Sequence, residues 1–275
     1  MMEPFVQVSK RYLSIEQWSR PQPHLVVGFT TRGGGKSQRP YSSLNMGLHV
    51  EDIPKNVLEN RKLLANDLQI PLANWIGSEQ VHESTVQKVT LSDAGKGSES
   101  LGSALASTDG LYTLENNLLL TSLYADCVPL YFYAPKHGAI GLAHAGWRGT
   151  VQNIGAKMIK LWHENEGILL EDIQVAIGPC ISQNSYEVDQ KVIDKINGCW
   201  PINLNYMPFK KQTNDKYLLD LREVNKALVL QAGIKPKNVI VSSICTAADE
   251  RMFSHRADKG KTGRMMSFIG LRGGE

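Results

Sequence analysis

Short apolar runs, rather than long amphipathic stripes, dominate the hydrophobic pattern of this chain. Seven segments of strand length carry β-branched or aromatic residues: 25–31 (LVVGFTT), 83–90 (ESTVQKVT), 118–124 (LLLTSLY), 129–134 (PLYFYA), 139–145 (AIGLAHA), 173–178 (IQVAIG) and 238–244 (NVIVSSI). Helical periodicity is confined to four places. The clearest starts from Thr150 as N-cap and runs to about Asn165, with Val151, Ile154, Met158, Leu161 and Trp162 returning to one face. The others are 54–68, 189–196 and 220–233, the last closed by Gly233. Strands and helices are mixed without alternating as βαβ units, so the pattern predicts an α+β layered domain with a mixed, largely antiparallel sheet. No repeat, low-complexity tract or long linker divides the sequence, and one domain over 1–275 is expected.

Composition narrows the class without changing it. Hydrophobic residues make up 42% and charged residues 21%, as in globular proteins. A net charge of +3 and a pI near 8.6 are too mild for a nucleic-acid footprint unless the excess is clustered, and the clearest basic stretch is only KPK at 235–237. No run approaches the roughly 18 apolar residues of a membrane span, and the first residues lack a secretory pattern, so a cytoplasmic protein with no membrane partner is expected. The four cysteines, Cys127, Cys180, Cys199 and Cys245, form no C-x-x-C pair. They imply neither a disulfide framework nor a zinc ribbon, and leave reduced thiols available for metal or nucleophilic chemistry.

The candidate chemistry lies around IGLAHAGWRGT at 140–150. PLYFYA and AIGLAHA flank APKHGA, whose Pro, His and Gly suit a short turn, so the two runs form a hairpin. A turn centred between Lys136 and His137 sets Cys127 opposite Gly146 and makes Cys127 and His144 diagonal neighbours on one face, with Cα atoms roughly 7 to 8 Å apart. Side chains at that separation reach a common zinc ion. They suit equally a buried thiol and a hydrogen-bonded strand-end histidine. A shift of one residue in register would place them on opposite faces. His82, in EQVHEST, is a third donor beside a predicted strand, but nothing in the sequence pattern brings it to the hairpin. The glycines after His144 imply a sharp turn into a helix, leaving Arg148 and free helix-start N–H groups beside the pair, a setting that favours anions. Trp147 reads as core packing.

Two other glycine-containing segments are basic. GGGKS at 33–37 ends like a phosphate-binding loop, yet the glycine required five places before Gly35 is Thr30, so it is not one. Arg32 and Lys36 remain there as anion contacts of a surface or substrate-covering loop. FSHRADKGKTGRMMSF at 253–268 offers Arg256 and Arg264 to an anionic substrate.

Taken in order, TTRGGGKSQRPYSSLNMGLHVED, ENRKLL, EQVHEST, TDGLYT, ADCVPLYFYAP, GLAHAGWRGT, AIGPCISQNSYEV and KGKTGRMMSFIGL resemble the laccase-domain, or multicopper polyphenol oxidase, family, which includes bacterial YfiH-like and YlmD-like proteins. The resemblance spans nearly the whole chain. It implies a layered α/β sandwich, and one zinc ion held by His82, Cys127 and His144. It also implies pocket roles for Asn45 and Arg61, and purine nucleosides and phosphate as substrates. Family members are reported as purine nucleoside phosphorylases that also deaminate adenosine and cleave methylthioadenosine. One departure is Ala257, where many members carry a second basic residue after the arginine of FSHR.

Three protein ligands leave a coordination position open, as catalytic zinc sites do. The leading expectation is therefore zinc-dependent phosphorolysis, with Arg61 and Arg148 holding phosphate. An amidase acting on cell-wall precursors, with Cys127 as nucleophile and His144 as base, is the alternative. A copper oxidase is disfavoured, because seven histidines without a His-x-His pair do not suit multicopper chemistry. A zinc-stabilised module without enzymatic activity would instead show four protein ligands. The oligomeric state stays open.

Overall fold

The apolar runs pair into two six-stranded sheets that stack face to face. The computed structural model describes residues 2–273. In chain order the strands are β1 (Phe5–Gln7), β2 (Tyr12–Ile15), β3 (Leu25–Thr30), β4 (Trp75–Ile76), β5 (Val86–Lys88), β6 (Gly110–Thr113), β7 (Leu118–Tyr124), β8 (Val128–Ala134), β9 (Ala139–Ala145), β10 (Gln174–Ile177), β11 (Glu187–Asp189), β12 (Phe209–Lys211), β13 (Lys216–Leu219), β14 (Val239–Val241) and β15 (Met265–Leu271). The helices are α1 (Glu16–Ser19), α2 (Pro54–Leu68), α3 (Trp147–Val151), α4 (Ile154–Glu166), α5 (Gln190–Cys199) and α6 (Leu221–Gln231). One sheet runs β1-β2-β3-β15-β7-β4, the other β14-β10-β8-β9-β6-β5, and a small third sheet runs β11-β13-β12. Among the described residues, the parallel strand pairs are β4–β7, β5–β6 and β10–β14, and the other strand pairs are antiparallel. This is the expected α+β class with largely antiparallel sheets.

Period-two alternation builds the layers. On β8, Val128, Leu130 and Phe132 face the helices, whereas Tyr131 and Tyr133 point into the space between the sheets. There they meet Phe29, Leu120, Tyr124 and Ile269 from the first sheet. Outside the second sheet lie α4, α5 and α6, and α2 covers the outer face of the first with Leu64, Ala65 and Leu68. The order is helix, sheet, sheet, helices, which is the layered sandwich. Strand β9 is small on its helix side, with Ala139, Gly141, Ala143 and Ala145, because α4 packs directly on it. A Cβ at Gly141 would stand 3.1 Å from Trp162 and 3.3 Å from Met158.

The hairpin has the expected register: Val128 pairs with Ala145 and Pro129 with His144. The helix expected from Thr150 differs. It is two helices, α3 and α4, broken at Asn153, which takes a left-handed φ of 59° and accepts a hydrogen bond from the Ala156 N–H at 3.2 Å. Thr150 is no cap; it is buried inside α3, accepting a 2.9 Å bond from the Asn225 amide. Asn153 supplies the better cap because asparagine tolerates that conformation and its side chain reaches the free N–H groups. Strand β15, in the segment read above only as a basic glycine-containing stretch, lies at the centre of the first sheet between β3 and β7. Buried on both faces, it shows no alternation to betray it. The GGGKS loop is pinned: Arg32 stacks 4.7 Å from the Phe253 ring, and Asn60 accepts from the Lys36 N–H at 2.7 Å. Among the described residues, no helix is long and apolar enough to cross a membrane.

The close β9–α4 contact makes a test. Gly141→Val should cost about 1–3 kcal/mol by overpacking, read as a lower urea midpoint at unchanged slope. Trp162→Phe in the same chain should recover part of that loss, and strictly additive costs would count against the contact.

Candidate metal centre and its cavity

His144 is the penultimate residue of β9 and Cys127 directly precedes β8, so the hairpin register puts both on the face that looks between the sheets. His82 comes from the loop joining β4 to β5. The ligating atoms of His82, Cys127 and His144 all lie within 4.8 Å of one another. His144 is buried, Cys127 half-buried and His82 exposed.

Asp109 brings the third side chain in. It stands just before β6, and the β6–β9 register sets it opposite His144, whose N–H donates to the Asp109 carbonyl at 2.7 Å. Its carboxylate accepts the backbone N–H groups of Val81 (3.1 Å), His82 (3.1 Å) and Glu83 (3.0 Å), and bonds His144 Nδ1 at 2.8 Å. His82 sits at a left-handed φ of 62°. That conformation costs a histidine energy which the three N–H bonds help to offset. With Nδ1 engaged by Asp109, the other ring nitrogen of His144 is the one directed to the cluster.

The glycines of HAGWRG have a steric purpose. A Cβ at Gly146 would lie 3.1 Å from His82 Cδ2 and 3.3 Å from Cys127 Sγ, in the space the cluster occupies. A Cβ at Gly149 would stand 2.7 Å from the Glu83 carbonyl oxygen and push the His82 loop away. Two imidazoles and a thiolate form a nitrogen and sulfur donor set that suits a borderline-soft divalent ion. The residues present fit such a metal.

Charge supports the same reading. Burial alone would push the Cys127 thiol up, but the charge and hydrogen bonds of His144 and His82 outweigh it and bring it down to about 6. Burial would likewise lower His144, yet Cys127 and Asp109 raise it to about 9. Between these values the metal-free pair is a thiolate and an imidazolium.

The cluster lies in the wall of a cavity of about 770 Å³. Leu101, Ala104, Leu123, Ile181 and Tyr186 line its apolar part, and His49, His255, Arg256 and Arg264 its basic part. Arg256 lies 5.3 Å from the Tyr186 ring and donates to the Glu187 carbonyl. Arg264 donates to the carbonyls of Thr262 and Gly263, and its cation is weakened by burial. His49 is pushed down to about 4 by its enclosure and by the charge of Arg264. Asp126, at φ 90°, accepts from the Thr246 hydroxyl and the Arg256 N–H.

The other three expected site residues lie outside the cavity wall. Arg61 is buried, and its guanidinium is taken up by the carbonyls of Met46, Gly97 and Ser98 at 2.6–3.0 Å, with burial lowering it to about 10. Asn45 is also buried; its Oδ1 accepts the N–H groups of Gly47 and Arg264, and its amide donates to Asp52. It therefore braces the segments that carry His49 and Arg264. Arg148 is exposed and stacks on the Trp147 ring at 5.3 Å, because α3 turns it outward. Asp109 was not singled out from the sequence, although an acidic residue directly before a strand glycine in TDGLYT was its available signal.

The two sheets and the cluster between them define a sandwich protein with a candidate metal centre in a small-molecule cavity. The chain belongs to the family described as multi-copper polyphenol oxidoreductase laccase, which matches residues 26–272. It is 42% identical over 273 residues to a Bacillus subtilis protein named purine nucleoside phosphorylase YlmD, spanning 98% of both chains. A Geobacillus stearothermophilus protein of the same name is 47% identical over 248 residues, or 90% of each chain. The crystal structure of YlmD from Geobacillus stearothermophilus superposes with a TM-score of 0.95 at 44% identity, covering 99% of this chain and 100% of that one.

Two outcomes are expected of this centre. Because His144 must give up its proton to bind a metal while Cys127 has already lost its own, uptake of a divalent ion at pH 7.5 should release about one proton. Release should rise below pH 6 and fade above pH 9; calorimetry in buffers of different ionisation enthalpy measures it. Asp109→Asn should weaken metal affinity roughly 10–100-fold, read by competition with a chromophoric chelator. Unchanged affinity would mean that Asp109 does not orient the donors.

Proposed function

We propose that this protein is a zinc-dependent purine nucleoside phosphorylase of the cytoplasm, converting inosine, adenosine or guanosine and phosphate to free base and ribose 1-phosphate. The observation that carries the reading is one cavity holding both a candidate metal cluster and a basic wall. Its volume of about 770 Å³ suits a small-molecule site that takes a nucleoside and phosphate together. The names of the relatives support the purine nucleoside phosphorylase part of this reading.

In this proposal the apolar wall, with Leu123, Ile181 and Tyr186, receives the purine. Arg264 and Arg256 balance the charge of phosphate as one of its oxygens attacks the anomeric carbon and the glycosidic bond to the base breaks. These two replace Arg61 and Arg148 as anion contacts, since those guanidinium groups are engaged or turned away. Asn45 holds the Arg264 main chain. His49, neutral at pH 7, donates or accepts a hydrogen bond to the base or sugar without adding charge. Zinc held by His82, Cys127 and His144 would supply Lewis acidity to a bound substrate or water. Deamination of adenosine and phosphorolysis of methylthioadenosine are proposed at the same centre, because the cavity is shared.

A second reading draws on the metal-free electrostatics. Cys127, His144 and Asp109 form a thiolate, an imidazolium and an orienting carboxylate, the arrangement of a nucleophile, its base and the group that positions it. That favours the amidase alternative in the absence of metal, but a thiolate that serves as a ligand is a poor free nucleophile. Copper oxidase chemistry fits least: among the described residues, His82, Cys127 and His144 form the one group of three or more such donors, where several coppers would require more.

Purified protein should release hypoxanthine from inosine only when phosphate is present, and Cys127→Ala should abolish the release while keeping the fold by circular dichroism. Full activity in that variant would sink the assignment. Phosphate-independent hydrolysis of a muropeptide amide would favour the second reading.

A further inference from the structure

Away from the metal cluster, two cysteines stand side by side. Cys180, just beyond β10, and Cys245, beyond β14, are partners in a parallel bridge, with the Thr246 N–H donating to the Cys180 carbonyl at 3.1 Å. Paired residues of neighbouring strands put their side chains on the same face, with backbones about 4.8 Å apart, inside the Cα separations of roughly 4.4–6.8 Å that disulfides span. Both thiols are free.

Their surroundings differ in the way a reactive and a resolving thiol differ. Cys180 is fully buried, and Arg222 Nε approaches its sulfur at 3.4 Å while Nη2 reaches the carbonyls of Cys180 and Ile244. Cys245 is half-buried and opens into a surface depression shared with Asp249 and Arg251. Its sulfur accepts the Ser182 N–H at 3.3 Å and lies 3.8 Å from the Ser185 hydroxyl. Burial pushes the Cys180 thiol up to about 11, whereas the hydrogen bonds at Cys245 outweigh its burial and lower that thiol. A partly accessible, thiolate-stabilised cysteine beside a second thiol is the arrangement of peroxide-sensitive sites.

We propose that Cys245 and Cys180 are an oxidisable dithiol that closes to a disulfide in response to hydroperoxides. The Cys245 thiolate attacks the peroxide oxygen, breaking the O–O bond to give a sulfenic acid and a hydroxide or alkoxide, which takes up a proton from solvent and departs as water or an alcohol. The Cys180 sulfur then attacks the Cys245 sulfur, losing its proton as hydroxide leaves; the two combine as water. Arg222 stabilises the Cys180 sulfur as it becomes anionic. Two electrons pass from the dithiol to the peroxide. The new bond would tie together the segments that hold Asp126, since the Ile181 N–H donates to its carbonyl at 3.0 Å and the Thr246 hydroxyl to its carboxylate at 2.7 Å. Redox state would thereby reach a residue adjacent to Cys127.

The test treats zinc-loaded protein with equimolar hydrogen peroxide, blocks remaining thiols with iodoacetamide, and maps tryptic peptides without reduction. Peptide 161–191 should appear linked to peptide 238–251, and the link should vanish on reduction and in Cys245→Ala. In Cys180→Ala, Cys245 should stop at the sulfenic acid and be captured by dimedone. Half-buried Cys199, which bonds the Ile196 carbonyl, is the internal control and should be alkylated throughout. The proposal is overturned if Cys180 and Cys245 remain alkylatable to the same extent as Cys199, or if no dimedone adduct forms at Cys245. Both readouts are masses, so neither depends on which substrate the cavity takes.

Discussion

The candidate site depends on one carboxylate. Asp109 accepts three consecutive backbone N–H groups from the His82 loop and engages the ring of His144, so one side chain fixes two donors from different segments. Charge-assisted bonds of this kind hold the loop in a backbone conformation that histidine avoids when unconstrained. The third donor needs no such brace, because antiparallel pairing with β9 already places Cys127. Orientation of the cluster therefore combines a sheet register, which is rigid, with a loop whose position is set electrostatically.

The pair on the hairpin was legible in sequence because strand registry obeys arithmetic. Once the turn at 136–137 is placed, the facing of Cys127 and His144 follows, and the observed pairs agree with it. His82 was not legible by pattern, since its approach depends on Asp109, a residue 27 positions away that acts through main-chain bonds. Family resemblance supplied it instead. The same contrast runs through the fold. Helix α2 and strands β7 and β9 match their apolar runs, whereas β15 lacks alternation and follows a basic loop, and the break between α3 and α4 turns on one asparagine whose side chain competes with the helix. Arg61 shows the limit of motif reasoning: burial and the direction of its bonds, not its identity, decide what it does.

The cluster sits at the seam between the two sheets, where inward-facing residues of the second sheet run out of partners from the first. Tyr124 lies 5.4 Å from the His144 ring and Tyr131 bonds the Gly28 carbonyl, so the inter-sheet core continues directly behind the donors. Packing and chemistry share residues here. On the open side, the basic wall is contributed by loops that no sheet registers, and side chains such as Asn45 and Asp126 hold those loops by their main chains.

Arg61 illustrates a more general economy. Its contacts are addressed to the carbonyl oxygens of Met46, Gly97 and Ser98, groups that every amino acid possesses. The side chains at those three positions are thus under no obligation to the arginine. Their identities answer to local packing instead, since Met46 is buried in the outer core of the first sheet and a Cβ at Gly97, at φ 70°, would stand 2.5 Å from the Gly77 carbonyl oxygen, so the cation ties three stretches of chain together without choosing the residues in them.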